Sequence, residues 1–307
     1  MIDQLLALDP GLRGIASFFV KVGAAAAARA LLRSRRVLIT TGFTVGDGLP
    51  ETDGPPGAAS LGRALRALGA SVTYITDAPA VAVLEAALEA LGEPAPIATF
   101  PGTGDAEAAA RRLLREQLPS HLVSIERPGR TASGDYLNAR GATVRRWNAP
   151  LDALFLAAPR RVTTVGVGDG GNEIGMGNVR ARIGRAGALA RAIASVVTVD
   201  HLVVAGTSNW GAYGIAAELS CASGRPLLHS AEEERAMIRG CVAAGAVDGL
   251  TRRPEATVDG LPLEAHVGML ELLRLCAGPG RAAGEKGKAP GKATAGISGR
   301  TNGGRPR

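Results

Sequence analysis

Short, almost uninterrupted apolar runs alternate along the chain with longer segments of helical period. Residues 36–41 (RVLITT), 71–76 (SVTYIT), 121–125 (HLVSI), 161–167 (RVTTVGV) and 201–205 (HLVVA) read as strands, with 94–100 a weaker one. Residues 12–33, 57–68, 80–91, 106–117, 210–219, 231–244 and 262–275 carry the spacing of helices. Strand and helix in this rhythm predict an α/β protein: an open, mostly parallel sheet with helices on both faces, a Rossmann-like three-layer arrangement. The strands are continuously apolar, as burial on both faces requires. No internal repeat is visible.

The pattern stops at about residue 276. From 277 to 307 the chain is Gly, Pro, Ala, Lys and Arg with one large aliphatic, Ile297. Such a segment buries too little to offset its ordering entropy, so 1–276 is expected to be the α/β body and 277–307 a disordered basic tail. The tail also decides how the charge is read. Of the formal +7, it holds seven Lys and Arg against Glu285, a net +6, which leaves the body nearly neutral. With only 3% aromatic residues there is little base-stacking surface, and nucleic acid is not the expected partner. No apolar run reaches the roughly 18–20 residues of a membrane span. Asp3 and Asp9 stand where a secretory signal would be basic and then apolar. Cys221, Cys241 and Cys276 show neither a disulfide framework nor a zinc spacing; thiols, mostly buried, in a cytoplasmic protein are expected.

Ligands of open α/β sheets bind beyond the carboxyl ends of the strands, so the loops there carry the candidate chemistry. After the first strand, Thr41-Gly42 leads to Glu51-Thr52-Asp53 in a Gly/Pro loop before a helix. Two carboxylates in a stiff loop suit a site, although Asp53 also suits a helix cap. Glu126-Arg127-Pro128-Gly129 follows 121–125; Arg presents a planar fork that matches a carboxylate, and a local ion pair is the alternative. The run Gly166 to Gly177 contains G-x-G-x-x-G, but Asp169 inside it would repel a pyrophosphate, and no acid follows some twenty residues on to hold a ribose. Asp169, Asn172 and Glu173 beside Gly170 instead resemble oxygen donors for a hard cation, Mn²⁺ or Mg²⁺, and no nucleotide cofactor is expected. Last, Thr207-Ser208-Asn209 opens a helix, an anion site or an ordinary N-cap. The four histidines are scattered; only His201, beside Asp200, sits near such a loop.

Together these motifs are recognisable. ITTGF (39–43), ETDGPPGA (51–58), ERPG (126–129), GDGGNEIGMG (168–177) and GTSNWGAYG (206–214) resemble the D-glutamate cyclase domain family, first catalogued as a domain of unknown function. The opening DPGLRG (9–14), GAVDG (245–249) and VDGL (258–261) are similar to it as well. The likeness covers roughly residues 2–276 and excludes the tail. It implies a lyase of D-amino acid metabolism that closes D-glutamate to 5-oxo-D-proline with loss of water.

That reaction gives the candidates roles. The amine must lose a proton before it attacks the γ-carboxyl carbon, and a carboxylate is the natural base. A cation or an Arg must neutralise the carboxylate under attack. Ring closure is intramolecular, so orientation alone lowers the barrier by up to about 7–11 kcal/mol. Glu126, Arg127, Asp169 and Asn172 are the catalytic candidates, with Glu126 carrying protons and Arg127 holding a substrate carboxylate. Thr41, Gly42, Gly170, Ser208 and Asn209 are the substrate-binding candidates. Asp53, Asp169, Glu173 and Glu51 are the candidate ligands of Mn²⁺ or Mg²⁺. A small molecule is the expected partner, and a homo-oligomer is compatible with all of this. Two other readings use the same loops: a metal-dependent phosphatase or other hydrolase, and a non-catalytic small-molecule sensor.

Overall fold

The structure, a computed structural model, describes residues 1–93 and 95–278. Six parallel strands form the sheet: β1 (Arg36–Thr41), β2 (Ser71–Thr76), β3 (Ile97–Thr99), β4 (His121–Ile125), β5 (Thr163–Gly168) and β6 (His201–Val204). Their order is β3-β2-β1-β4-β5-β6, so the winding direction reverses between β1 and β4. Ile39 pairs with Val123, and Ile125 with Val167, which brings the three central carboxyl ends level.

Alternation is present within the apolar runs and sorts them into two layers. Val37 and Ile39, Val72 and Tyr74, Val123 and Ile125, and Val165 and Val167 face one core. That core is filled by α2 (Gly23–Leu31), α3 (Pro55–Ala67), α4 (Val81–Ala90), α9 (Ser208–Ser223), α10 (Ala231–Ala243) and α11 (Leu263–Cys276). Leu38, Ile75, Leu122, Leu202 and Val204 face the other core, against α5 (Ala106–Gln117) and the short α6 (Asp152–Leu156), α7 (Arg180–Ile183) and α8 (Ala188–Ile193). The three-layer α/β architecture is therefore as expected. Helix α3 packs on α9 through Gly57, where a Cβ would stand 3.0 Å from the Ala212 Cβ and from the Asn209 Cα. A small hairpin, β7 (Thr257–Val258) and β8 (Leu261–Pro262), turns on Asp259-Gly260, both at positive φ, as a two-residue turn of this kind requires.

The main departure lies near the N-terminus. A helix over 12–33 is expected; instead α1 spans Ile2–Leu6, a single 3-10 turn covers Ile15–Ser17, and α2 starts only at Gly23. The cause is Asp9. Its carboxylate accepts from the backbone N–H groups of Arg13 (2.7 Å), Gly14 (2.7 Å) and Ile15 (3.2 Å), and Leu12 and Gly14 adopt positive φ. A local side-chain bond to the backbone has displaced the helix. Helix α9 is longer than the expected 210–219, and the weak strand shortens to Ile97–Thr99. Of the three cysteines only Cys241 is buried; Cys276 is half-buried and Cys221 exposed, against the expectation. The tail expected over 277–307 lies outside the described residues except for Ala277 and Gly278.

Candidate active site

The loops that leave β1, β4 and β5, and the start of α9 after β6, converge at the carboxyl edge of the sheet beside the reversal of winding, where open α/β sheets bind ligands. A pocket of about 480 Å³, counting the open space at its mouth, lies there. Arg13, Glu51, Glu126, Asn138, Arg140, Asn172, Arg252 and Asp259 give it its polar lining. Phe43 and Val45 form an apolar wall, backed by Tyr136, Val144 and Val247.

Glu126 leaves β4 with φ 44, a left-handed conformation that costs a non-glycine residue about 1–2 kcal/mol. Its Oε2 accepts from Ser208 Oγ at 2.5 Å. Burial first, then Glu173 and Glu51, push its pKa well above the ordinary range, so the neutral acid is favoured. Asp169 is also pushed up by burial, although Arg13 opposes the shift. Arg13 Nη2 donates to Asp169 Oδ1 at 2.7 Å, and its Nη1 lies 2.9 Å from Asp259 Oδ2 without hydrogen-bond alignment. Burial would lower the Arg13 pKa; Asp169 and Asp259 outweigh it and keep the group charged. Three buried polar atoms at this point lack hydrogen-bond partners: Arg13 Nη1, Asp169 Oδ2 and Asp259 Oδ2. Glu51, at the same pocket, is pushed up by burial and by Asp259 and Asp53.

Several candidates turn out to hold the site rather than face it. Asp53 caps α9, not the helix that follows it: Oδ2 accepts from Ser208 N and Oδ1 from Asn209 N, each at 2.8 Å. Burial and Asp259 nevertheless raise its pKa to about 7. Asn209 returns the bond, its Oδ1 accepting from Gly54 N (2.9 Å) and Gly57 N (2.8 Å) at the start of α3. The two helix starts cap each other. Glu173 folds the glycine loop onto itself, accepting from Asp169 N (3.2 Å), Gly170 N (2.6 Å) and Gly171 N (2.7 Å). A Cβ at Gly170 would stand 3.0 Å from Asn172 Oδ1 and Glu173 Oε1, so only glycine leaves the loop this tight. Asn172 lines the pocket and donates to Leu137 O at 2.8 Å.

Arg127 does not reach the pocket. It is fully buried, donating to Gly42 O (2.6 Å), Ala149 O (2.6 Å) and Asp77. Its place as substrate holder is corrected to that of a strut, because three buried acceptors already take its guanidinium. Thr41, Gly42, Asp53, Asp169, Gly170, Glu173, Ser208 and Asn209 are not among the lining residues either; the Gly42 carbonyl is spent on that strut, and Asp169 meets the pocket through its bond from Arg13. Sequence reasoning passed over Arg13 and Asp259 as functional residues. The signals were the DPGLRG and VDGL motifs, which were noted only for their resemblance.

Two groups of acids lie close enough together that they could hold a cation. Oxygens of Asp53, Asp169 and Asp259, and separately of Glu126, Asp169 and Glu173, lie within 4.8 Å of one another. Among them Asp169 Oδ2 and Asp259 Oδ2 are the orphaned ones, and all are the hard oxygen donors that Mg²⁺ and Mn²⁺ take.

A doubly wound parallel sheet with an acidic pocket at its winding reversal defines a class, small-molecule proteins of the Rossmann-like kind. Within it the assignment is specific. Residues 2–274 match the family model described as D-glutamate cyclase-like, C-terminal, and the chain belongs to that family. It is 41% identical over 241 residues to the D-glutamate cyclase, mitochondrial, of Homo sapiens, covering 72% of this chain and 39% of the human protein. The chain thus spans about two fifths of the length of that relative. Among the described residues no helix is long and apolar enough to cross a membrane.

Proposed function

We propose that the chain is a lyase that cyclises D-glutamate to 5-oxo-D-proline and water in this pocket. Its family and the activity named for the human relative support the reading. The observation that carries it is the placing of a neutral-favouring acid, Glu126, beside a half-buried Arg13, whose Nη1 is ion-paired with Asp259 but makes no aligned hydrogen bond, and a carboxylate, Asp169, with an unpartnered oxygen.

The ammonium binds to the acidic floor, where Asp169 or Asp259 takes up a proton. The amine nitrogen then forms a bond to the γ-carbon. Arg13 Nη1 donates to the γ-carboxyl oxygens as charge gathers on them. Glu126, kept neutral by burial, delivers the proton that lets one oxygen depart as water, and Ser208 holds its carboxyl in place. The nitrogen gives up two protons, the leaving oxygen gains two, and the charges balance. Asp169 and Asp259, each with an unpartnered oxygen, would with Asp53 hold Mg²⁺ or Mn²⁺, which when bound would supply further charge neutralisation at the carboxyl group under attack. Cysteines without zinc or disulfide spacing support a reducing compartment, the cytoplasm in this reading, whereas the human relative is named as mitochondrial.

The test is 5-oxo-D-proline formation from D-glutamate by purified protein, with Mn²⁺ and with chelator, resolved on a chiral column. Asp169→Asn should lower turnover by at least about 100-fold with an unchanged circular dichroism spectrum, the loss typical of removing one group that stabilises the transition state. Normal turnover by that variant refutes the assignment. A phosphatase reading gains nothing from this floor, whose carboxylates repel a phosphate dianion; p-nitrophenyl phosphate is the control. Tight binding of D-glutamate without product would instead mark a sensor.

A further inference from the structure

Two cations of the pocket wall, Arg140 and Arg252, have no part in the mechanism above. Arg252 lines the pocket from the loop 248–253. That loop is fixed by Asp248, which is fully buried. Asp248 Oδ1 accepts from the N–H groups of Leu250 (2.9 Å) and Thr251 (2.8 Å). Its Oδ2 accepts from Thr257 Oγ1 (2.7 Å) and from Gly260 N (2.7 Å). One carboxylate therefore ties the Arg252 loop to the turn that carries Asp259, and sets the two pocket residues relative to each other. Arg140 Nη2 adds a bond to Leu250 O at 2.9 Å.

Arg252 itself is only lightly engaged. Its Nη2 reaches Val45 O at 3.4 Å, and its Nη1 lies 3.8 Å from Asp47, a residue 76% exposed. These long contacts leave most of its five N–H donors to a ligand. The rest of the pocket explains what ligand needs them. Glu51, Glu126 and Asp259 line it, and Arg13 is already shared between Asp169 and Asp259. Such a floor welcomes an ammonium, and with Arg13 already taken it offers no free cation to a second carboxylate. In ring closure the amine and the γ-carboxyl must reach the floor. The α-carboxylate stays outside the ring and passes unchanged into the product.

We propose that Arg252 forms a carboxylate subsite at the pocket wall, which holds the non-reacting α-carboxylate and selects amino acids that carry one. The proposal rests on the cyclase reading for its substrate. Arg recognises a carboxylate through two parallel N–H bonds, which a lysine cannot copy.

The experiment compares D-glutamate with its α-amide, D-isoglutamine, on wild type, Arg252→Gln, Arg252→Lys and Arg253→Gln. Arg253 is an exposed neighbour, 70% accessible, and serves as the control. Arg252→Gln should raise KM for D-glutamate about 50-fold, the worth of one charged hydrogen-bonded pair, and change kcat less than about threefold. It should leave the α-amide unaffected, so that the wild-type preference collapses. Arg252→Lys should restore part of that preference, and Arg253→Gln should match wild type. An unchanged KM, or an equal loss on both compounds, overturns the proposal. Should wild type yield no product, the cyclase reading fails. Calorimetry of D-glutamate and 5-oxo-D-proline against 2-pyrrolidinone, which lacks the carboxylate, then decides Arg252 separately. Weaker binding of only the two carboxylates by Arg252→Gln supports the subsite, and equal binding by both proteins overturns it.

Discussion

Arg127→Met separates the two roles that residue 127 was open to. In the structure the guanidinium is fully buried and donates to the carbonyls of Gly42 and Ala149, each at 2.6 Å, and to Asp77. Asp77 keeps one other bond, from Ala149 N at 2.8 Å, and its Oδ1 has no hydrogen-bond partner. Removing the cation thus leaves a buried carboxylate with a single donor and the Gly42 carbonyl with none, while Ala149 O keeps the N–H of Leu151 at 2.8 Å. Breaking one partner out of a buried pair costs about 3–5 kcal/mol. The stranded Gly42 carbonyl, at roughly 1–3 kcal/mol before relaxation, pushes the sum towards the top of that range. Against a typical stability of about 5–15 kcal/mol, the variant should fold but unfold roughly 6–20 °C lower.

Urea unfolding followed by circular dichroism measures this, with Asp77→Asn and the double variant completing a cycle. The double variant should be less destabilised than the two single changes summed, by about 2 kcal/mol, because the charge stranded by the first change is neutralised by the second. At a temperature where all variants are folded, KM for D-glutamate should move less than about threefold, since no substrate group meets the guanidinium. Stability within about 1 kcal/mol of wild type, together with a KM raised about 100-fold, would return Arg127 to the substrate and refute the strut.

Two further predictions concern the helices that frame the pocket. Burial raises the Glu233 pKa, yet Arg63 and the Ser230 N–H outweigh it and hold it at about 2. Its contribution is therefore present above its ordinary 4.5 and lost as pH falls through about 2. Glu233→Gln, which weakens the capping box of α10 with Ser230, should cost about 1 kcal/mol at pH 7, with the difference closing near pH 2 in urea midpoints; a gap independent of pH contradicts this. Gly62→Ala lies inside α3, where alanine ordinarily gains up to about 1 kcal/mol. Here the new Cβ would fall 1.8 Å from Tyr74 Oη and 2.6 Å from Tyr74 Cζ, so the change should instead destabilise by about 2–3 kcal/mol. In a Tyr74→Leu background it should become neutral or stabilising, as read by thermal unfolding; the same loss in both backgrounds rules out the clash.

The sheet was legible in the sequence because each strand is a short apolar run closed by Gly, Asp or Glu, and the carboxyl ends of those runs lead to the pocket. Glu126, Asp169 and Ser208 could be picked out from that position alone. Glu51 could too, from the loop that returns towards α3. Arg13 could not. Residues 12–33 have helical spacing, and nothing in that period says that the Asp9 carboxylate breaks it to turn Arg13 inward. Asp259 was hidden for a related reason: a D-G pair between two short runs announces a hairpin, but not what the aspartate faces.

Which helix Asp53 and Asn209 each cap is hidden by distance along the chain. Each is a cap, and each caps the other's helix across a separation of more than 150 residues. A local scan sees a polar residue before a helix and assigns it to that helix. Only the close packing of α3 on α9 through Gly57 makes the exchange visible. The exchange also has a consequence for the chemistry. It brings the N-terminus of α9 to Asp53 while Ser208, the first residue of that helix, meets Glu126. A helix N-terminus favours negative charge by about 0.3–1 kcal/mol at exposed sites and up to about 2 kcal/mol when partly buried. A pKa raised from 3.8 to about 7 corresponds to roughly 4 kcal/mol in the opposite direction. Desolvation and the neighbouring acids therefore outweigh the helix, and this is why carboxyl groups at a helix start can hold protons near neutrality.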